Sequence, residues 1–271
     1  MSLWHPYSLE GTGQPGQITL LVRRGVRSPE LRNRRDILVA LPPGYDDAGE
    51  RYPVVYMHDG QNLFDPATSA NGDWGLVGTL AAEALAGRPA IVVGIANIGP
   101  RRPYEYSPFR DMFHGGGGGD RYLGYVVSTV KPLIDAGFRT RPGPESTAFA
   151  GASLGGLISL YGLYRMPTVF GAAAALSPAI WFADRAILDF VRPRAGLEAR
   201  LYADAGTAEG GEVVADVERL RDVLLAAGRR DGSDFRITIA EGDGHDEAAW
   251  GRRFRHALPF LLGSEQEDRG E

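Results

Sequence analysis

A serine between two glycines, a histidine in a glycine-rich turn near the C-terminus and carboxylates between them carry the chemistry readable in this chain. The serine is Ser153, in Gly151-Ala152-Ser153-Leu154-Gly155, where the apolar run Thr147 to Ala150 passes into a helical pattern. A serine at a tight strand-to-helix turn needs strained backbone angles, and residues two positions away must lack side chains that would collide; Gly151 and Gly155 meet that need. The turn also sets the hydroxyl at a helix N-terminus, where unpaired N–H groups and the helix dipole favour developing negative charge. The chemistry this arrangement suits is nucleophilic attack on a carbonyl, with the Leu154 amide as one donor to the oxyanion.

A hydroxyl attacks only when a base takes its proton, and in strand-turn-helix sites of this kind an acid and then a histidine follow the serine along the chain. Of five histidines, only His245 and His256 lie downstream. His245 falls in Gly242-Asp243-Gly244-His245-Asp246, between the last strand-like run and the last helix, whereas His256 falls inside that helix and reads as a packing or surface residue. For the acid, Glu209 fits best, in the loop past Gly206; Asp204 near the strand end is its rival and Glu212 a third. Each competes with the plain alternative of a solvated carboxylate. The acid would hold the His245 tautomer and stabilise its cationic form.

The second oxyanion donor belongs in a loop after an earlier strand. In Val54 to Asn62, VVYMHDGQN, Gly60 lets the backbone turn inward, so the Gln61 amide is the candidate, with Asp59 and Asn62 beside it as substrate contacts. His58 and Asp59 look like the start of a metal pair, but no third or fourth ligand follows at suitable spacing, so neither a metal nor another cofactor is expected.

These residues must be positioned by a sheet. Ile18 to Val22 and Asp36 to Leu41 read as early strands that pair antiparallel. Pro53 to Met57, Ala90 to Ala96, Thr147 to Ala150, Gly171 to Leu176, Ala199 to Ala203 and Phe235 to Ala240 are short apolar runs suited to buried parallel strands. Helical spacing occupies Trp74 to Ala86, Arg121 to Ala136, Leu154 to Arg165, Ile187 to Val191, Val213 to Ala227 and Asp246 to Leu262, with Pro132 expected to kink the second. Strand alternating with helix implies an α/β chain whose mostly parallel sheet is covered on both faces. The stretch from Asn97 to Asp120 reads as a long irregular loop. Its Arg101, Arg102, Tyr104, Tyr106, Arg110 and Phe113 are candidates to meet an anionic or aryl substrate, against the alternative of solvent-facing arginines, and Gly115 to Gly119 suggests a hinge for a flap.

Composition narrows the setting. Hydrophobic residues at 44% and charged residues at 23% suit a globular core, and one domain over 1–271 is expected, with 1–15 and 264–271 peripheral. The net charge of -5, with no basic block, excludes a nucleic-acid partner. There is no cysteine, which removes thiol nucleophiles and disulfides together. Met1 to Gln17 lacks a basic segment followed by an apolar one, and no stretch has the length to span a bilayer, so a cytoplasmic protein without a membrane partner is expected.

Taken together, VVYMHDGQNLFD (54–65), IVVGIAN (91–97), AFAGASLGGLISLY (148–161), ALSPAIWF (175–182), GTAE (206–209) and GDGHDEAAW (242–250) resemble the putative-esterase family of α/β-hydrolases. That family includes enterochelin esterases, S-formylglutathione hydrolases, feruloyl esterases and mycolyltransferases. The likeness runs from about Arg34 to Leu262. It implies the α/β-hydrolase fold with antiparallel strands at the N-terminal edge, a Ser153, Glu209, His245 triad, and the Gln61 and Leu154 amides as oxyanion hole. Many members carry aspartate where Glu209 stands. Trp181 resembles an aromatic that borders the cleft. The expectation is a serine esterase acting through an acyl-enzyme on a carboxylic or thio ester of a small or aryl substrate. The alternatives are an acyltransferase on the same scaffold and a non-catalytic homologue that binds a small ligand.

Overall fold

The computed structural model describes residues 3–9, 12–14, 17–47, 49–69 and 72–263. The expected peripheral segment 264–271 lies outside the described residues, as do parts of 1–15.

Apart from the run 235–240, which forms a part-buried edge strand, the short apolar runs are strands because both faces of each are covered, which removes the need for polar alternation. All five residues of β4 (Val54–His58, after β1, His5–Pro6, β2, Thr19–Ser28, and β3, Asn33–Leu41) are buried, as are all five of β5 (Ile91–Ile95). The chain continues through a two-residue hairpin, β6 (Arg110–Asp111) and β7 (Gly115–Gly116), to β8 (Thr147–Ala152), β9 (Ala172–Leu176), β10 (Arg200–Gly206) and β11 (Phe235–Ala240). Nine of these strands form one sheet in the order β1-β2-β3-β5-β4-β8-β9-β10-β11. The pairings β1 to β2, β2 to β3 and β3 to β5 are antiparallel; every pairing from β5 to β11 is parallel. This is the α/β-hydrolase arrangement, with antiparallel strands at the N-terminal edge.

The helices are α1 (Leu76–Leu85), α2 (Arg102–Tyr106), α3 (Gly119–Tyr125), α4 (Lys131–Gly137), α5 (Leu154–Arg165), α6 (Phe182–Val191), α7 (Gly211–Ala226) and α8 (Glu247–Leu262). Alternation within a strand separates two cores. Val54 and Tyr56 of β4 pack with Leu123, Ile134, Leu157 and Val217 of α3, α4, α5 and α7. Val55 and Met57 pack with Leu76 and Leu80 of α1 and Phe254 and Leu258 of α8. Among the described residues, no helix is long and apolar enough to cross a membrane.

Three elements differ from the sequence expectation. β2 runs past Val22 to Ser28 through a bulge between Arg23 and Val26, where Gly25 takes φ 60°, a conformation that suits glycine. Arginines on that stretch hide its strand character. The helix over 121–136 is split by a π-turn at Val126–Val130, and Lys131 closes it by donating to the Val126 carbonyl, five residues back. Pro132, which has no N–H to give, follows at once. The stretch 97–120 holds α2 and the β6–β7 hairpin instead of an irregular loop. Three of its glycines are tied down: Gly117 and Gly119 donate to the Ser107 carbonyl, and Gly118 donates to that of Tyr104. A Cβ on Gly118 would lie 2.5 Å from the Tyr104 ring. Glycine here permits close approach, and the run is an anchor for the hairpin where a hinge was expected.

Candidate active site

The carboxyl ends of β4, β8, β9, β10 and β11 lie side by side, because these strands are parallel neighbours, so the loops leaving them meet at one edge of the sheet. Ser153 leaves β8 with φ 58° and ψ −121°. Three bonds hold that turn: the Ser153 amide donates to the Leu176 carbonyl at 2.9 Å, and the Ser153 carbonyl accepts from Leu157 and Ala179 at 3.0 Å each. The glycines are needed where the sequence suggested. A Cβ on Gly151 would lie 2.6 Å from the His58 ring, and one on Gly155 would lie 3.2 Å from His58 Cβ.

His58 is therefore a packing ring under the turn. It is 1% exposed, bonded through Nδ1 to the Tyr122 hydroxyl at 2.8 Å, and burial pulls it down to about 3, so the ring is neutral at ordinary pH. Its neighbour Asp59 is bound by Arg102 through Nε at 2.9 Å and Nη2 at 2.8 Å and by Asn97 Nδ2 at 2.6 Å. Burial pushes the Asp59 carboxyl up, but these donors outweigh it and hold the group below the usual carboxylate range. Among the described residues, no three His, Asp or Glu side chains converge as a metal would require.

Glu209 ends a 3₁₀ turn after β10 and has 1% of its side chain exposed. Its Oε2 meets His245 Nδ1 at 2.6 Å. Its Oε1 accepts from the Ser177 hydroxyl at 2.6 Å, the Gly206 amide at 2.7 Å and Arg253 Nη1 at 3.1 Å. Burial raises the proton affinity of this carboxyl; the four donors more than offset that and hold it below the ordinary glutamate value. An ionised carboxylate accepts only, so in this contact His245 Nδ1 is the donor and Nε2 is the ring nitrogen that Glu209 leaves free. The Trp250 ring stands edge-on to His245 at 4.8 Å, and its indole N–H donates to the Ser177 hydroxyl at 3.0 Å. The rival carboxyl, Asp204, is fully buried beneath this layer, and Glu212 pairs with Arg185 at the surface.

Gln61 and Leu154 follow β4 and β8, which are paired from Val54↔Thr147 to Met57↔Ala150, so their amides start from adjacent strand ends. The Gln61 side chain accepts from the Asn97 amide at 3.1 Å, tying this turn to the end of β5. Asn62 Nδ2 donates to Glu247 Oε1 at 3.1 Å, two residues past His245. Burial pushes the Glu247 carboxyl up, and the nearby Asp59 and Asp246 add to it.

Of the expected substrate contacts, Trp181 lies at the surface with 43% exposure, edge-on to the His114 ring at 5.1 Å. Met112 and Phe113 at the hairpin tip are almost wholly exposed. Arg101 and Arg110 are exposed. Tyr106 requires correction: it is fully buried, its ring against His58 and Tyr122, and its hydroxyl accepts from the Asp59 amide at 3.2 Å. The single turn of α2 sends it inward, so it supports the β4 turn and offers a substrate no surface. Asp59, saturated by Arg102 and Asn97, is likewise a support.

Arg102, expected among the loop arginines that meet substrate, is instead spent on Asp59; the sequence reading passed over Arg253, Ser177 and Trp250. Arg253 had a signal: Trp250, Phe254, Ala257, Leu258 and Leu261 form the buried stripe of α8, and helical spacing puts Arg253 on it. An arginine on an apolar stripe implies a buried anion.

The fold, with this edge of loops at the strand ends, is that of the α/β-hydrolase class. The chain belongs to the Putative esterase family, whose model matches residues 28–261. It is 25% identical over 251 residues to the uncharacterized protein YbbA of Bacillus subtilis (strain 168), covering 89% of this chain and 97% of that one. A siderophore triacetylfusarinine C esterase of Aspergillus fumigatus is 33% identical over 143 residues; the match covers 50% of this chain and 47% of that enzyme, about half the length of each. Among solved structures, the siderophore hydrolase EstA from Aspergillus nidulans superposes with TM-score 0.70 at 23% identity, over 90% of this chain and 94% of that one. A ferulic acid esterase superposes with TM-score 0.71 at 18% identity, over 91% and 98%.

Proposed function

We propose that this protein is a serine esterase that hydrolyses carboxylic or thio esters of a small or aryl substrate through an acyl-enzyme on Ser153. The observation that carries this reading is the 2.6 Å contact of His245 Nδ1 with a buried, four-times-bonded Glu209, at the same sheet edge as a serine with positive φ. His245 Nε2 takes the Ser153 proton as Oγ bonds to the carbonyl carbon. The oxyanion is held by the Gln61 and Leu154 amides, and the proton passes to the departing alcohol or thiol. Water then gives its proton to His245, attacks the acyl carbon and releases the acid, returning Ser153. The ferulic acid esterase among the similar structures, with the exposed aromatics Trp181 and Phe113, favours an aryl portion in the substrate.

Labelling with a fluorophosphonate tests the nucleophile. Wild-type protein is expected to label and Ser153→Ala and His245→Ala to fail; a panel of short acyl, aryl and thio esters then ranks substrates. A Ser153→Ala protein that keeps near-wild-type ester hydrolysis would overturn the assignment.

A further inference from the structure

Behind Glu209 lies a second carboxyl that the proposed reaction does not use. Asp204, on β10, is fully buried; its Oδ1 accepts from the Ser177 amide at 3.1 Å and stands 3.5 Å from Arg253 Nε. Among the described residues, neither Asp204 Oδ2 nor Arg253 Nε has a hydrogen-bond partner. Arg253, with 4% of its side chain exposed, reaches the other way through Nη1 to Glu209 and through Nη2 to the Ser177 hydroxyl at 2.7 Å. One guanidinium thus faces two buried carboxyls, and His245 sits on the far oxygen of one of them.

We propose that Asp204 is a positioning residue that acts through Arg253: ionised, it offsets the guanidinium from behind and leaves the charge of Glu209 to His245; protonated, it leaves Arg253 to offset Glu209 instead. This rests on the Ser153, Glu209, His245 reading above. Guanidinium groups keep their charge in proteins, so the carboxyl is the member that changes. Burial pushes Asp204 up to about 7, with Arg253 and the Ser177 amide pulling the other way and Glu209 adding to the rise, which puts its change of charge in the neutral range. The other groups around it do not take over that part. β11 contributes Thr238, in register with Asp204, and β10 itself contributes Tyr202, whose phenol burial pushes far above the neutral range. Asp243 stands 3.9 Å from Arg253 Nε and is engaged by Arg252 at 2.6 Å. Trp250 and Ser177 are uncharged.

In the transition state His245 is an imidazolium, and an extra negative charge behind Glu209 stabilises it in a poorly screened interior. Turnover therefore rises as Asp204 ionises. The test is kcat and KM of Asp204→Asn and wild type on one simple ester from about pH 5.5 to about pH 9. The expected ratio of wild-type to variant kcat is near one at the acid end and climbs to about three- to tenfold at the alkaline end, with KM unchanged. A ratio that does not vary with pH is what a merely structural role gives, and it overturns the proposal, as does identity of the two proteins throughout. Should the variant fail to fold, wild-type protein labelled with ¹³C at its aspartate carboxyls answers by infrared spectroscopy. A protonated aspartate band present at about pH 5.5 and lost by about pH 9 is expected, and a spectrum without one overturns the proposal. That band is independent of Ser153, whose failure as nucleophile would show separately in the fluorophosphonate labelling.

Discussion

At the residue scale the geometry around Glu209 leaves little freedom, since each of its oxygens is committed to named donors on four different segments. Glu209→Gln keeps the volume but replaces an acceptor with an N–H₂ group that faces donors. Its kcat should fall by about 10²- to 10⁴-fold with a small change in KM, measured on any ester the wild type turns over. The same carboxyl is tied to acid stability. Its proton affinity is depressed on folding, so its contribution is present above the ordinary glutamate range and is lost as pH falls through the lowered value. Thermal melts from about pH 7 to about pH 3 should therefore show a shallower acid-side decline in Glu209→Gln than in wild type. Trp181 is the exposed aromatic proposed to meet an aryl substrate. Trp181→Ala should raise KM for aryl esters severalfold and leave acetate esters of small alcohols nearly unaffected, and equal effects on both would remove it from substrate recognition.

At the element scale, strain gathers where the strands end. Asp59 after β4, Ser153 after β8 and Ser177 after β9 are non-glycine residues with φ of 54°, 58° and 40°. Each lies one residue past its strand, and each is held by bonds from a neighbouring strand or helix, the condition under which such conformations persist. A second cluster, Ala183 to Arg185, makes a left-handed turn behind Trp181, held by Arg185 on Asp216 at 2.5 Å and the Ala183 amide on Asp111 at 3.2 Å. Regular helix in α6 accordingly resumes near the expected Ile187. Gly206, at the end of β10, abuts the Asp243 carbonyl so closely that a Cβ has no room, and Arg253 Nη1 would be 2.9 Å away. Gly206→Ala should push apart the loops bearing Glu209 and His245. A loss of about 2 kcal/mol or more in urea unfolding is expected, with kcat falling more than KM changes.

At the scale of the molecule, the site taxes the fold. Asp204 is raised on folding to about 7, so native protein holds a proton there that unfolded chain has lost. Its contribution to stability is full below the unfolded carboxylate range and falls as pH rises toward the native value. Asp204→Asn should therefore melt higher than wild type at about pH 8, the gap closing as pH approaches about 4. A lower Tm at alkaline pH would show that the ionised carboxyl stabilises the fold through Arg253. Higher stability with lower alkaline turnover is the exchange expected where a site keeps a poorly satisfied buried group for its chemistry.

The chain by itself determined what is local. The glycine spacing about Ser153 and the glycine turn around His245 are short-range steric patterns, and the unbroken apolar runs announce strands covered on both faces because burial on two sides leaves no position for a polar residue. The long helices showed in their spacing for the same reason. What the tertiary structure decided depends on residues far apart in sequence. Whether His245 meets Glu209 or Asp204 follows from the path of the turn after β10, and both carboxylates look alike in the chain. That Tyr106 lies inside while Arg102 reaches Asp59 follows from one turn of helix in a stretch whose composition reads as loop. Helical spacing marks Arg253 as buried, but which carboxyls it meets is decided only when α8 packs across β9 and β10, because those partners are brought together by folding.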